Sequence, residues 1–143
     1  MGIFGNLFGR KKLKTTDSDF GVIESFSTRG NDVGWLINKI YLNSQIEILI
    51  AGDKEGIAEN QKRILLNALN NETEIKSESE KALKEQYSNA NMEFESVEKH
   101  FDLKGISVRN DGFEMAFQQR NEPYYFFNVH FENNKQVGVS IDG

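Results

Sequence analysis

The stretch QIEILIAGDKEGIAENQKRILLNAL, residues 45–69, holds the change of pattern on which the fold reading turns. Its first seven residues are a β-rich run, and GDKEG (52–56) ends that run with the glycines and charges of a turn. The spacing then lengthens. Ile57, Ile64, Leu65, Ala68 and Leu69 recur at intervals that line one face of a helix, with Glu59, Asn60, Lys62 and Arg63 elsewhere. Asn70 and Asn71 supply its stop.

Upstream, FGVIESF (20–26) alternates Phe20, Val22 and Phe26 against smaller or polar neighbours, the pattern of a half-buried strand, and STRGND (27–32) supplies a turn. WLINKIYL (35–42) precedes QIEILIA, with Asn43 and Ser44 between them as a tight hairpin pair. Three consecutive antiparallel strands are expected. Downstream, a second helix is expected from about Glu74 to Ala90, with Ile75, Ala82, Leu83 and Tyr87 as its apolar stripe, and a shorter helical turn includes Val97 and Phe101.

Beyond residue 105 the period returns to two. Ile106 and Val108 open a strand, Asn110-Asp111-Gly112 is a turn, and three further alternating runs follow: Phe113, Met115, Phe117; Tyr125, Phe127, Val129, Phe131; Val137, Val139, Ile141. The only proline, Pro123, stands at the start of the third of these strands, where a missing donor costs little. Strands and helices therefore fall in blocks, βββ-αα(α)-ββββ. That order predicts an α+β fold with a mainly antiparallel sheet packed by two or three helices. Alternation alone leaves open whether the two strand groups share one sheet.

A chain of 143 residues suits one domain. The absence of cysteine removes disulfides, thiolate metal sites and a Cys nucleophile together. The net charge is −5, but residues 1–14 carry Arg10, Lys11, Lys12 and Lys14 with no acid, so residues 15–143 hold 13 bases against 22 acids, a balance of −9. A surface of that sign repels phosphate backbones, so a basic protein is the expected partner and nucleic acid is not.

The opening MGIFGNLFGRKKLK (1–14) reads as an amphipathic basic head, residues 15–19 as a linker and residues 20–143 as a single domain. In a helix Ile3, Phe4, Leu7 and Phe8 would share a face, followed by Arg10, Lys11 and Lys12. An anionic membrane, a groove on its own domain or a second copy could each receive it. Its bases follow rather than precede the apolar residues, unlike a secretion signal, and Asn6 stands where a myristoylation pattern needs Ser or Thr. No apolar run is long enough to cross a membrane as a helix. The expected location is cytoplasmic, with weak peripheral contact at the inner membrane face as a variant.

Two surfaces are candidate sites. Residues 72–98 hold eight glutamates against three lysines. Glu72, Glu74, Glu78, Glu80, Glu85, Glu93 and Glu95 form an acidic surface suited to steering a basic protein into place. The second candidate is the face opposite the core in the last strands: Tyr124, Phe126, Asn128, His130, Glu132 and Asp142, with Glu114, Ala116, Gln118, Gly138 and Ser140 from neighbouring strands. There His130 with Glu132 or Asp142 could act as a general base in a small hydrolase. His100, in EKHFDL, suits a helix end, where a cation meets the terminal carbonyls. HExxH, HxH, paired His at i, i+4, GxSxG and a phosphate-cradling glycine loop are all missing, so no metal, cofactor or catalytic set is expected.

FGVIE (20–24), the lone Trp35 in its strand, HFDLKGISV (100–108) and VGVSIDG (137–143) together resemble small bacterial domains of the kind found in toxin–immunity gene clusters. The resemblance covers residues 20–143. It implies an intracellular bacterial protein that acts by binding a partner, and it transfers no functional residue. The leading expectation is a non-enzymatic protein-binding domain, in its narrower form an immunity-type inhibitor. The alternatives are a peripheral membrane or scaffold-associated accessory protein recruited through residues 1–14, and the hydrolase.

Overall fold

The computed structural model describes residues 12–143. Among these residues the chain forms an α+β fold with one mainly antiparallel sheet and three helices. Its elements are β1 (Lys14–Asp17), β2 (Gly21–Arg29), β3 (Asp32–Tyr41), β4 (Ser44–Asp53), β5 (Gly56–Ile57), α1 (Glu59–Leu69), α2 (Glu72–Asn89), α3 (Val97–His100), β6 (Phe101–Val108), β7 (Phe113–Gln119), β8 (Phe126–Glu132) and β9 (Lys135–Asp142). The strand order is β1-β2-β3-β4-β6-β7-β8-β9, with β5 paired to the end of β4.

One short parallel contact makes the two strand groups a single sheet. Glu47, Ile48 and Leu49 of β4 pair with Gly105, Ile106 and Ser107 of β6. Parallel neighbours need a long crossover, and the three helices lie within it. Past Leu49 the free edge of β4 is taken by other groups. The Ala51 amide donates to Gln61 Oε1 at 3.0 Å, the Ala51 carbonyl accepts from the Ala58 amide at 3.0 Å, and Gly52 and Asp53 pair with β5.

The core lies between the sheet and the helices. Ile37, Ile48, Ile106, Met115, Val129 and Val139 are register partners in one row across six strands. All but Val139 are buried, and they pack with Leu65 and Ala68 of α1 and Ile75, Ala82, Leu83 and Tyr87 of α2. Buried polar groups are paired: Tyr41 Oη donates to the Ala68 carbonyl at 2.8 Å, and Gln119 Nε2 donates to Tyr87 Oη at 2.7 Å. Burial, with the Glu72 charge as a second cause, pushes the Tyr41 phenol far above its ordinary range, so it remains a donor.

Several expectations need correction. The stretch 15–19 is not free linker, because Lys14–Asp17 is an edge strand on β2 and Leu13 bonds Ser25 in both directions. In β2 the faces are reversed: Ile23 and Ser25 are buried, whereas Val22 and Phe26 are about two-thirds exposed. A bulge between Ser25 and Ser27 breaks the alternation there. Ile57 belongs to β5, and its helix begins at Glu59. The β3–β4 turn is Leu42-Asn43 rather than Asn43-Ser44; both residues have positive φ, as a type I′ hairpin requires. Pro123 lies in the turn before β8, and Phe101 opens β6.

Asp17 fastens the β1 edge. Its carboxylate accepts from the Asp19 amide at 2.9 Å and the Phe20 amide at 3.2 Å, and Lys62 of α1 lies 3.0 Å away. Burial by itself would raise this carboxyl, but the Asp19 amide, Lys62 and the Phe20 amide outweigh it and hold the group below its usual range. A folded pKa below the unfolded one adds stability that is complete above about pH 4 and lost as pH falls through the folded value. Asp17→Asn should therefore lose less stability than wild type between about pH 5 and pH 3 in denaturant titrations. Identical acid slopes for the two proteins would show that Asp17 is not the responsible group.

Candidate functional site

The helices cover one face of the sheet; among the described residues no helix covers the other. Alternation places Leu36, Leu49, Ser107, Glu114, His130 and Gly138 on that uncovered face as register partners in one row. Asn38, Glu47, Gly105, Ala116, Asn128 and Ser140 form the next. The face thus mixes Val22, Leu36, Ile40 and Leu49 with Glu24, Asn38 and Glu47 over β2–β4, is small-residued in the middle and is polar over β7–β9.

In the polar part His130 is the hub. Its Nε2 lies 3.1 Å from Ser140 Oγ and its Nδ1 3.9 Å from Glu114 Oε2. Glu114 also takes Arg109 Nη2 at 2.6 Å. Beside them Asn128 Nδ2 donates to Asp142 Oδ2 at 2.8 Å. His130 contacts are therefore with Glu114 and Ser140, and the pairing with Glu132 or Asp142 is corrected: Glu132 sits at the β8–β9 turn opposite Lys135, and Asp142 is used by Asn128. Tyr124 lies off the sheet, its hydroxyl donating to Glu122 at 2.9 Å, and Phe126 is half-buried on β8. Glu114 and Ser140 were legible as same-face residues; their contact with His130 came from cross-strand register.

Chemically, Ser140, His130 and Glu114 stand in the order hydroxyl, imidazole, carboxylate. They lie on an exposed sheet surface, with Ser140 in the outermost strand and the His130 side chain about one-third exposed. An open cleft lined by Arg109, Asp111, Phe113, His130 and Glu132 lies beside them, and such an open site leaves the hydroxyl hydrated. No group of three or more metal-ligating side chains occurs among the described residues.

The acidic segment divides into two parts. Glu72 Oε2 accepts from the Leu42 amide at 2.8 Å and Glu78 Oε1 from the Gln136 amide at 3.2 Å, so these two tie α2 to hairpin turns at opposite ends of the sheet. Glu74 pairs with Lys135 at 3.6 Å, Glu98 with Lys76 at 2.5 Å, and Lys76 holds the Glu98 carboxyl below its ordinary range. Glu80 is half-buried near Lys76. Glu85, Glu93 and Glu95 are exposed and enter no ion pair among the described residues. They occupy the last turns of α2 and the loop to α3.

His100, at the end of α3, closes that loop. Its Nε2 accepts the Glu95 amide at 3.0 Å, and its ring packs against both Tyr87 and Phe94 at centroid distances of 5.0 and 5.3 Å. The acceptor role requires a neutral ring nitrogen. Of the head residues, Ile3, Phe4, Leu7, Phe8, Arg10 and Lys11 lie outside the described residues, and Lys12 borders β2. No described helix is long and apolar enough to cross a membrane. Compared with protein-family models, curated proteins and solved structures, the chain matches none.

Proposed function

We propose that the protein is a non-enzymatic protein-binding domain that receives a basic partner at the end of α2 and the loop to α3, in the manner of an immunity-type inhibitor. The observation that carries this reading is the division of the acidic segment. Four of its glutamates, Glu72, Glu74, Glu78 and Glu98, are engaged by amides or lysines of the chain itself, while Glu85, Glu93 and Glu95 stay exposed and unpaired among the described residues. Unpaired surface acids on a body of net charge −9 add to the field that draws a cation in. They add little to folding, since exposed pairs contribute at most about 1 kcal/mol even when formed. His100 and Phe94, packed on Tyr87, support the loop that displays them.

The test is a charge reversal confined to these three positions. The triple variant Glu85→Lys, Glu93→Lys, Glu95→Lys and the wild-type chain are each immobilised and exposed to extract from the native host. A basic protein captured by the wild type should associate with the variant about tenfold more slowly at low salt, and salt should shrink the difference. Equal association rates at low salt would remove this surface from the interface.

A further inference from the structure

The outer edge of the sheet at β9 is a feature that the partner-binding reading leaves unused. Among the described residues β9 has β8 on one side and no strand on the other. Between Lys135 and Asp142 it reads QVGVSI, an uncharged run without proline, whereas native edges are blunted by charge, proline or a bulge. The opposite edge, β1, is only four residues long.

Register decides which backbone groups point outward. The Gln119 amide donates to the Tyr125 carbonyl at 3.0 Å, so by alternation Phe127 and Val129 turn their backbone groups to β7, and Phe126, Asn128 and His130 turn theirs to β9. Val139 and Ile141, opposite Val129 and Phe127, therefore direct their N–H and C=O groups away from β8. The Gln136 amide is taken by Glu78 of α2 at 3.2 Å. That contact and the bulge between His130 and Phe131 blunt the hairpin end of the edge. Residues 138–142 stay open, and Ile141 is about half exposed there.

We infer that this open stretch pairs with β9 of a second copy, antiparallel and about a two-fold axis at Ser140. In that register Val139 of each chain lies opposite Ile141 of the other, so outward N–H and C=O groups meet their like in both directions. The side chains match as well. On the helix side Val139, which packs at the margin of the core, meets the half-exposed Ile141. On the uncovered face Asp142 of the second copy comes opposite Gly138, over which the space is open, and beyond Gly138 stands His130. A carboxylate thus reaches toward an imidazole across a gap that a side chain would fill. Every part of the match comes from one strand, so the contact closes on itself as a dimer. It is far smaller than a standard interface, and the dimer is accordingly weak.

Cysteine trapping in the full chain tests both the pairing and its register, since the protein has no cysteine of its own. Ser140 would face Ser140 of the second copy as a non-hydrogen-bonded pair with Cα atoms about 4.5 Å apart, within the range of a disulfide. Gly138→Cys, Ser140→Cys and Asp142→Cys are each oxidised alone, and the Gly138→Cys and Asp142→Cys chains are also mixed. Ser140→Cys should form a disulfide dimer about tenfold or more faster than either other variant alone, because pairing raises the effective concentration at that position only. The mixture should yield mainly the mixed dimer, identified by its mass. Adding Ile141→Lys to Ser140→Cys, with circular dichroism unchanged, should slow trapping to the rate of the other two. Equal rates for the three single variants would mark random collision and overturn the proposal. Faster self-linking of Gly138→Cys or Asp142→Cys than of Ser140→Cys would overturn it equally, since it requires another register.

Discussion

Gly105→Val is expected to lower stability by about 3 kcal/mol or more, at or beyond the upper end of the range for overpacked positions. Gly105 sits where the two strand groups meet, paired with Glu47 across the single parallel contact of the sheet. A Cβ at this position would lie 2.8 Å from the Glu47 carbonyl oxygen. That atom belongs to the backbone of β4 and cannot rotate away as a side chain would. Relief requires β4 and β6 to separate, over a contact only three register pairs long. The melting temperature should fall by about 10 °C, taking about 3 °C per kcal/mol for a chain of this size. Amide exchange should quicken on both sides of the junction, at Ile48 and Ile106, before it quickens at Met115 and Val129. Gly105→Ala should do the same to a smaller degree. A melting temperature within about 2 °C of wild type for the valine variant would mean that the junction yields at little cost.

Trp35→Ala should cost about 3–5 kcal/mol, the range for truncating a large buried aromatic side chain. Trp35 is fully buried in the middle of β3, opposite Ser25 on one side and Ile50 on the other, and its Nε1 donates to the Asp53 carbonyl at 3.0 Å. Truncation opens a cavity beneath three strands and removes the bond that holds the end of β4. Trp35→Phe keeps much of the volume and loses the hydrogen bond, so it should fall between wild type and alanine. Thermal melts followed by circular dichroism check both variants, since the alanine variant has no tryptophan left for fluorescence. Equal melting temperatures for Trp35→Phe and Trp35→Ala would assign the loss to the hydrogen bond rather than to packing.

The candidate site was only partly legible in the sequence. Alternation put Asn128, His130 and Asp142 on the face opposite Phe127, Val129 and Phe131, and the sheet keeps them there. Which groups touch His130 depended on two neighbouring strands and on the bulge that shifts β9 between His130 and Phe131. That shift leaves Val137 exposed instead of in the core. The acidic segment was visible as a run of charge, but its division was not. Glu72 and Glu78 are taken up by amides of Leu42 and Gln136, 30 and 58 positions away, and charge counting is blind to a backbone donor.

What the sequence by itself determined was the type and order of the main elements and the inward residues of β6–β8. Those features follow from periods of two and 3.6, which a few consecutive residues express on their own. Only the tertiary structure decided the rest. FGVIESF carries apolar residues at both parities, so the inward face of β2 was settled by its pairing with β3, which sets Ser25 opposite Trp35 and leaves Phe26 outside. Residues 14–17, too polar to signal a strand, became one because β2 offered an open edge and Lys62 of α1 a partner for Asp17. One sheet rather than two followed from Ile48 meeting Ile106, a pairing between residues far apart in the chain. Such a contact forms only after the intervening helices have brought β4 and β6 together, so no local pattern could announce it.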